Sequence, residues 1–213
     1  MVCPSGHTII CNMILSAIIL GILPYLSSGV IDTTNVETLG LTMTDDTKTV
    51  TIFSPTDETH HYANGVVMIA FKDVLYCMWQ SSQTDEDAPE TCVMFCRSSD
   101  EGVTWTKPEQ LAAATDSSYC TSGGWIGTKD TLTAFINVWP RGMQPVGGYT
   151  YYIYSTDGET WSEPQPVRMA DGQAMNGVME QDPYPMADGR IVGAAHFQPG
   201  LHVAPIYTDD PTG

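Results

Sequence analysis

"RSSDEGVTW" at residues 97–105 and "YSTDGETW" at 154–161 say nearly the same thing. One order of groups recurs: Ser98, Asp100, Gly102, Thr104 and Trp105, then Ser155, Asp157, Gly158, Thr160 and Trp161. Polar groups in such a cluster suit either an active site or a turn, and the residue types favour the turn. A short connection between antiparallel strands leaves backbone amides without partners, and one carboxylate accepts several of them. Glycine supplies a positive φ without steric penalty. Tryptophan buries a large apolar face while its N–H seeks an acceptor. Asp100 and Asp157 are therefore expected to hold turns rather than substrate.

Working outward, the chain reads as β-structure from about residue 48. "TVTIF", "VVMIAF", "VLYCMW", "CVMFC", "TLTAFINVW", "YTYYIY" and "RIVGAAHF" are short runs rich in β-branched and aromatic residues. Turn clusters such as "KD", "TDEDAPE", "GTKD", "PVGG" and "ADG" separate them. No stretch of eleven or more residues keeps a helical period. Asp100 and Asp157 lie 57 positions apart, and Trp105 and Trp161 lie 56 apart. "YTDDPTG" at 207–213 opens a third, truncated copy. A period in the fifties with about four strands per unit is that of a β-propeller blade. The spacing predicts roughly three blades over residues 48–213, the third starting near "DPYPM". Propellers close with about four to eight blades, so the expectation is the N-terminal portion of a longer protein, inactive as a fragment.

The two clusters match the Asp-box pattern, Ser/Thr-x-Asp-(x)-Gly-x-Thr-Trp, at 98–105 and 155–161. With "YANGVVMIAF", "YCMWQSS", "DEDAPET", "CTSGGW", "GGYTYYIYSTDGETWSEPQPV", "EQDP" and "DGRIVGAAHFQPGL", the chain over about 60–213 resembles the sialidase-like propellers with bacterial neuraminidase repeats. This resemblance implies an all-β propeller of six or seven blades when complete, with its Asp-boxes on the face opposite the active site. It also implies a carbohydrate substrate, three arginines for the substrate carboxylate, a Tyr–Glu nucleophile pair and an Asp acid/base. The sequence departs from that set. "YANGVV" carries no arginine where an Arg-Ile-Pro signature is expected, and "MWQSS" (78–82) replaces an acidic-plus-arginine pair. A non-standard site is thus expected.

Its place is predicted on the loops Gln80–Thr91, Val138–Gly148, Arg168–Asp182 and Phe197–His202. In "MEQDPYP" (179–185), Glu180 and Asp182 stand two apart and share a side if extended. They are candidate acid/base groups or plain strand-start hydrogen-bonders. His196, ending "RIVGAAH", is a candidate proton carrier or a hydrogen-bonded core histidine. Arg141 is a candidate carboxylate clamp; Trp79, Gln80 and Gln198 are candidate sugar contacts, and Trp139 another stacking ring. "TDEDAPE" reads as a solvated acidic hairpin without EF-hand spacing. The leading expectation is a sialidase-like glycoside hydrolase removing terminal, in some cases acidic, sugars. Alternatives are a polysaccharide lyase acting on uronate-containing glycans with His196, Tyr207 and Arg141, and a non-catalytic glycan-binding module.

Composition limits the partners. Lys and Arg total 8 against 25 Asp and Glu, a net charge of −17. Such a surface repels phosphate backbones and anionic headgroups, and no phosphate-binding Gly-rich loop, GxSxG or HExxH occurs. Neither nucleic acid, nucleotide, cofactor nor metal is expected. Residues 9–29, "IICNMILSAIILGILPYLSSG", carry no charge, and the apolar run Met13–Leu23 has the length of a signal-peptide core rather than of a comfortable bilayer span. Residues 1–29 are read as an export signal and 30–47 as a polar linker, giving a secreted, periplasmic or cell-surface protein. Membrane contact is expected only through an uncleaved N-terminal segment. Cys77, Cys92, Cys96 and Cys120 match no zinc spacing, and three disulfide pairings or none stay open.

Overall fold

The computed structural model describes residues 10–11, 34 and 48–209, and every regular element among them is a β-strand. Residues 10–52 form one unit, in which β1 (Ile10–Cys11) pairs antiparallel with β2 (Val50–Thr51). The remainder of the expected export signal and linker lies outside the described residues. So does the end of the third turn copy, at 210–213.

From Phe53 onward three antiparallel sheets follow the predicted blades. The first contains β3 (Tyr62–Phe71), β4 (Val74–Ser82), β5 (Cys92–Ser98) and β6 (Glu109–Ala112), hydrogen-bonded in chain order. The second repeats this with β7 (Ser118–Gly127), β8 (Leu132–Pro140), β9 (Tyr149–Ser155) and β10 (Gln165–Pro166). In the third, β11 (Gly177–Val178) and β12 (Tyr184–Pro185) both pair with β13 (Ile191–Phe197), and β13 pairs with β14 (His202–Thr208).

The apolar patterns explain these strands. From Tyr76 onward β4 is buried on both faces, as expected for a near-continuous apolar run covered by layers on each side. Lys72 and Asp73 take φ of 48° and 63° and close β3 onto β4 with a two-residue hairpin. Between the first two blades Trp125 packs on Tyr76, with centroids 6.2 Å apart, and on Trp161 at 5.9 Å. Trp161 also meets Phe95 edge-on at 5.9 Å and 87°. The tryptophan closing the second repeated turn therefore wedges one blade against the other, and together these rings join the main apolar cluster.

The third blade differs from expectation at its first strand. It begins at Gly177 rather than near "DPYPM" and is interrupted over 179–183. The interruption has counterparts: β3 is bulged between Asn64 and Val67, and β7 between Ser122 and Gly124. At the β7 bulge φ of Gly124 is +119°, and a Cβ there would lie 2.7 Å from the Gln181 carbonyl oxygen. Only glycine lets the backbones approach so closely. One hydrogen bond ties each bulge to the next. Ser122 Oγ donates to Gly65 O (2.6 Å), and Trp125 N donates to Asp182 Oδ1 (2.7 Å).

Beside this seam lies Asn137, fully buried. Its Nδ2 donates to the carbonyls of Met179 and Ser122, and its Oδ1 accepts from Met179 N (3.0 Å) and Thr150 Oγ1 (3.0 Å). A buried amide is tolerated when its donors and acceptors are matched. Asn137 is thus the peg that holds the interrupted strand where regular pairing fails.

The repeated turns behave as the residue types predict. Asp100 accepts from Thr104 N (2.9 Å), Thr104 Oγ1 (2.6 Å) and Ser98 Oγ (2.8 Å). Asp157 accepts from Thr160 N (2.8 Å), Glu159 N (2.8 Å) and Ser155 Oγ (2.9 Å). These donors favour the charged form. The Thr104 hydroxyl and amide, with Ser98, bring Asp100 down to about 2, and the Thr160 and Glu159 amides, with Ser155, hold Asp157 lower still. Gly102 and Gly158 have φ of 85° and 74°. The shorter second turn changes one detail: Trp105 Nε1 donates to Gly102 O (3.0 Å), whereas Trp161 Nε1 has no acceptor among the described residues.

Candidate functional site

Antiparallel order sorts the connections onto two rims of the sheets. Links β3–β4 and β5–β6 share one rim with their equivalents in the second blade, and this rim carries both repeated turns. Lys72 Nζ donates there to Thr156 O (2.8 Å) and Arg97 Nη1 to Gly158 O (3.2 Å). The opposite rim gathers residues 83–91, 113–117, 141–148, 167–176 and 198–201 between the strands. Every loop singled out from sequence reaches this second rim.

Three groups from the sequence lie close together in the third blade. Glu180 leaves the break after β11, and His196 on β13 is the Cα partner of Val178. Glu180 Oε2 stands 3.7 Å from His196 Nε2, with the side chains 53% and 35% exposed, so both are reachable by a ligand. Asp182 points elsewhere. The backbone bends at Gln181, extended alternation fails, and the Asp182 carboxylate turns to the Trp125 amide. Partial withdrawal from water raises its pKa, opposed by that amide bond. The expectation that Glu180 and Asp182 share a side rested on extended backbone, which this segment lacks.

The structure places the other candidates as follows. Arg141 Nη2 donates to Pro89 O and Thr115 O, joining the 83–91 and 113–117 loops. Trp79 is 1% exposed and stacks on Phe53 at 5.6 Å, so its ring faces protein. Gln80 is buried with its amide against Gly65. The Gln198 amide is enclosed without a hydrogen-bond partner among the described residues, and a Cβ at Gly147 would collide with it.

The acidic hairpin "TDEDAPE", read from sequence as solvated, supplies a second group. The loop is folded on itself: Ser82 Oγ donates to Asp85 O, Asp87 N to Asp85 Oδ1 (3.1 Å) and Thr91 Oγ1 to Ala88 O (2.7 Å). This fold aims two carboxylates at aromatic hydroxyls. Glu86 Oε2 accepts from Asn64 Nδ2 (2.9 Å) and Tyr62 OH (3.4 Å), and Asp87 Oδ1 accepts from Tyr119 OH (3.1 Å). Burial and the neighbouring carboxylates raise both phenols, Tyr119 to about 12. Tyr62 with Glu86 has the residue types of a Tyr–Glu nucleophile pair, and the phenol donates to the carboxylate. Tyr119 lies flat on Trp139, centroids 6.2 Å and 6° between planes, and Trp139 Nε1 donates to Thr121 Oγ1 (3.0 Å). Behind Trp139, a Cβ at Gly148 would lie 3.2 Å from its ring and 2.9 Å from Val178, the register partner of His196. The acidic loop of the first blade thus meets an aromatic pair of the second. A signal for this group existed in the sequence, four acidic residues in a hairpin facing "YAN", but no spacing rule connects residues 62, 86, 87 and 119.

Chemically the rim offers a carboxylate–imidazole pair for moving a proton, two carboxylates able to accept sugar hydroxyls, and an aromatic ring backed by a second. Among the described residues no group of His, Cys, Asp and Glu has the geometry to hold a metal ion.

The fold is that of an all-β, sialidase-like β-propeller. Residues 73–213 match the model of the BNR repeat-like domain, more than half the chain, and the chain belongs to that family. Among solved structures it is similar to a protein of unknown function from Dyadobacter fermentans (17% identity, TM-score 0.56, 73% of this chain and 53% of that one). It is also similar to the Trypanosoma rangeli sialidase in complex with 2,3-difluorosialic acid (11% identity, TM-score 0.55, 71% and 29%). A third is an N-acetylgalactosamine deacetylase from F. plautii in complex with blood group B trisaccharide (15% identity, TM-score 0.50, 73% and 51%). The chain spans about half or less of each of these proteins. At such identities the likeness is one of fold. No curated protein is matched by the sequence.

Proposed function

We propose that the protein is a glycan-active enzyme, a sialidase-like glycoside hydrolase with a non-standard site that removes terminal sugars. The observation that carries this reading is the Glu180–His196 contact of 3.7 Å on the loop rim, with both side chains open to solvent. Glycoside hydrolysis needs a group that protonates the leaving oxygen. Glu180 is assigned that role, with His196 holding and exchanging its proton. Glu86 and Asp87 accept hydroxyls of the sugar, and Tyr119 offers its outer face for stacking. Asp182 and Arg141 are assigned to positioning: one fixes the break beside Glu180, the other ties two rim loops. The turns at 98–105 and 155–161 are read as Asp-boxes with no part in the chemistry, and residues 1–29 as the signal for export.

The arginine content bears on the substrate. Arg97 pairs with Glu159 on the turn rim, Arg190 pairs with Asp209, and Arg141 is held by two carbonyls. Of the four arginines Arg141 and Arg168 are exposed on the loop rim, and Arg168 makes one bond, to Gly172 O (2.8 Å). A three-arginine carboxylate clamp is therefore not assembled from the described residues. A lyase built on His196, Tyr207 and Arg141 is disfavoured by register. Tyr207 pairs with Val192 and His196 with Val203, four residues apart along the sheet, or about 13 Å.

The test is release of free sugar from a panel of neutral and acidic oligosaccharides by the full-length protein. Glu180→Gln is expected to abolish release while leaving binding intact. Full activity in a folded Glu180→Gln protein overturns the assignment. Binding without turnover by the wild type selects the glycan-binding module, and an unsaturated product absorbing in the near ultraviolet selects the lyase.

A further inference from the structure

Cys77, Cys92, Cys96 and Cys120 are all buried with free thiols, and the sequence left every pairing open. The register separates them. Cys77 on β4 and Cys96 on β5 are direct Cα partners across neighbouring antiparallel strands, each 1% exposed. The neighbouring Cys96 thiol, together with burial, pushes the Cys77 thiol up. The other two turn away to carbonyls: Cys92 Sγ donates to Ser81 O (3.6 Å) and Cys120 Sγ to Ala113 O (3.4 Å). Directly opposed residues of an antiparallel pair have Cβ atoms about 4.5–5.5 Å apart. A disulfide needs about 3.5–4.5 Å between Cβ atoms and about 4.4–6.8 Å between Cα atoms. Bridging Cys77 to Cys96 therefore takes an adjustment on the order of an ångström, with no change of register.

We propose that Cys77 and Cys96 are a disulfide site, oxidised when the chain folds in an oxidising compartment, which pins the second and third strands of the first blade. The proposal rests on strand register and is independent of the glycan-active reading. The oxidant is a low-molecular-weight disulfide. One protein thiolate attacks it and expels one reagent thiol, leaving a mixed disulfide. The second protein thiolate attacks the protein sulfur of that bond and expels the second reagent thiol. Two protein thiols are oxidised, one reagent disulfide is reduced to two thiols, and the two thiol protons pass to the leaving thiolates. Since both sulfurs end sealed inside the sheet, closure precedes completion of packing. The bridge encloses residues 77–96, which carry the hairpin holding Glu86 and Asp87.

The test refolds the full chain in a mixture of reduced and oxidised glutathione. The protein is then blocked with a maleimide in denaturant and digested with trypsin. Cys77, Cys92 and Cys96 fall in one tryptic peptide, 73–97, since no Lys or Arg lies between Lys72 and Arg97. The expected peptide carries a single label, on Cys92, and gains two mass units when the blocked peptide is then reduced. Cleavage after Glu90 then leaves its halves joined until reductant is added. Three labels in that peptide, a label on Cys77 or Cys96, or Cys92 linked to Cys120 would each overturn the proposal. As a second readout, reductant is expected to lower the melting temperature of the refolded wild type by about 5–10 °C. The same reductant should leave that of the Cys77→Ser/Cys96→Ser double variant unchanged.

Discussion

The two rims of the same sheets treat their carboxylates in opposite ways. On the turn rim Asp100 and Asp157 are each surrounded by three donors, two from within the turn and one from the preceding serine, and their pKa values fall. On the loop rim Glu180 faces a histidine, and Glu86 and Asp87 face tyrosine hydroxyls. A carboxylate saturated by the amides and hydroxyls of its own turn has little left to offer a ligand. One whose partners are ionisable side chains can exchange them for a ligand's hydroxyls or move a proton. The most conspicuous motif of the sequence is therefore architecture, and the proposed chemistry lies across the strand from it.

The contrast yields predictions on both sides, and the largest effect belongs to the loop rim. Glu180→Gln is expected to lower kcat for the proposed sugar release about 10²–10⁴-fold at an unchanged melting temperature. The seam between the rims comes next. Asn137→Ala removes the side-chain donor to Met179 O and one of the two acceptors of Met179 N, leaving buried groups unmatched and costing about 3 kcal/mol in denaturant unfolding.

The strands and blades were legible in the sequence because alternating and continuous apolar runs report burial directly, and because "RSSDEGVTW" fixes a turn by its own short-range bonds. The interrupted first strand of the third blade was not. Nothing in "MNGVMEQDPYP" says that Asn137, some forty residues upstream, replaces the lost strand pairing. The site was half legible for the same reason. Glu180 and His196 stand out as ionisable residues at strand ends, whereas Glu86 and Asp87 gain meaning only from Tyr62 and Tyr119, which reach them from other strands. Arg141 looked free in "WPRG" because backbone carbonyls, its actual partners, carry no sequence signature.

Smaller effects belong to the turn rim. Asp100→Ala and Asp157→Ala are each expected to lower the melting temperature by a few degrees and to leave kcat and KM unaltered in folded protein. The sign of the pH dependence follows from the lowered pKa values. The stabilisation is complete above the ordinary Asp value of about 3.9 and is lost as pH falls toward 2. Acid titration of unfolding should therefore show wild type and Asp100→Ala converging at low pH, and a constant gap would remove the turn's electrostatic explanation. The smallest effect is expected at Tyr119→Phe. It frees Asp87 from one hydrogen bond while keeping the ring on Trp139, so KM should change about two- to fivefold with kcat preserved.

The most direct measurement compares sugar release, at a temperature where all three are fully folded, by wild type, Glu180→Gln and Asp157→Ala. Release by wild type and Asp157→Ala at equal rates, with none by Glu180→Gln, is the expected result and places the chemistry on the loop rim. Loss of release in Asp157→Ala with Glu180→Gln fully active would contradict it.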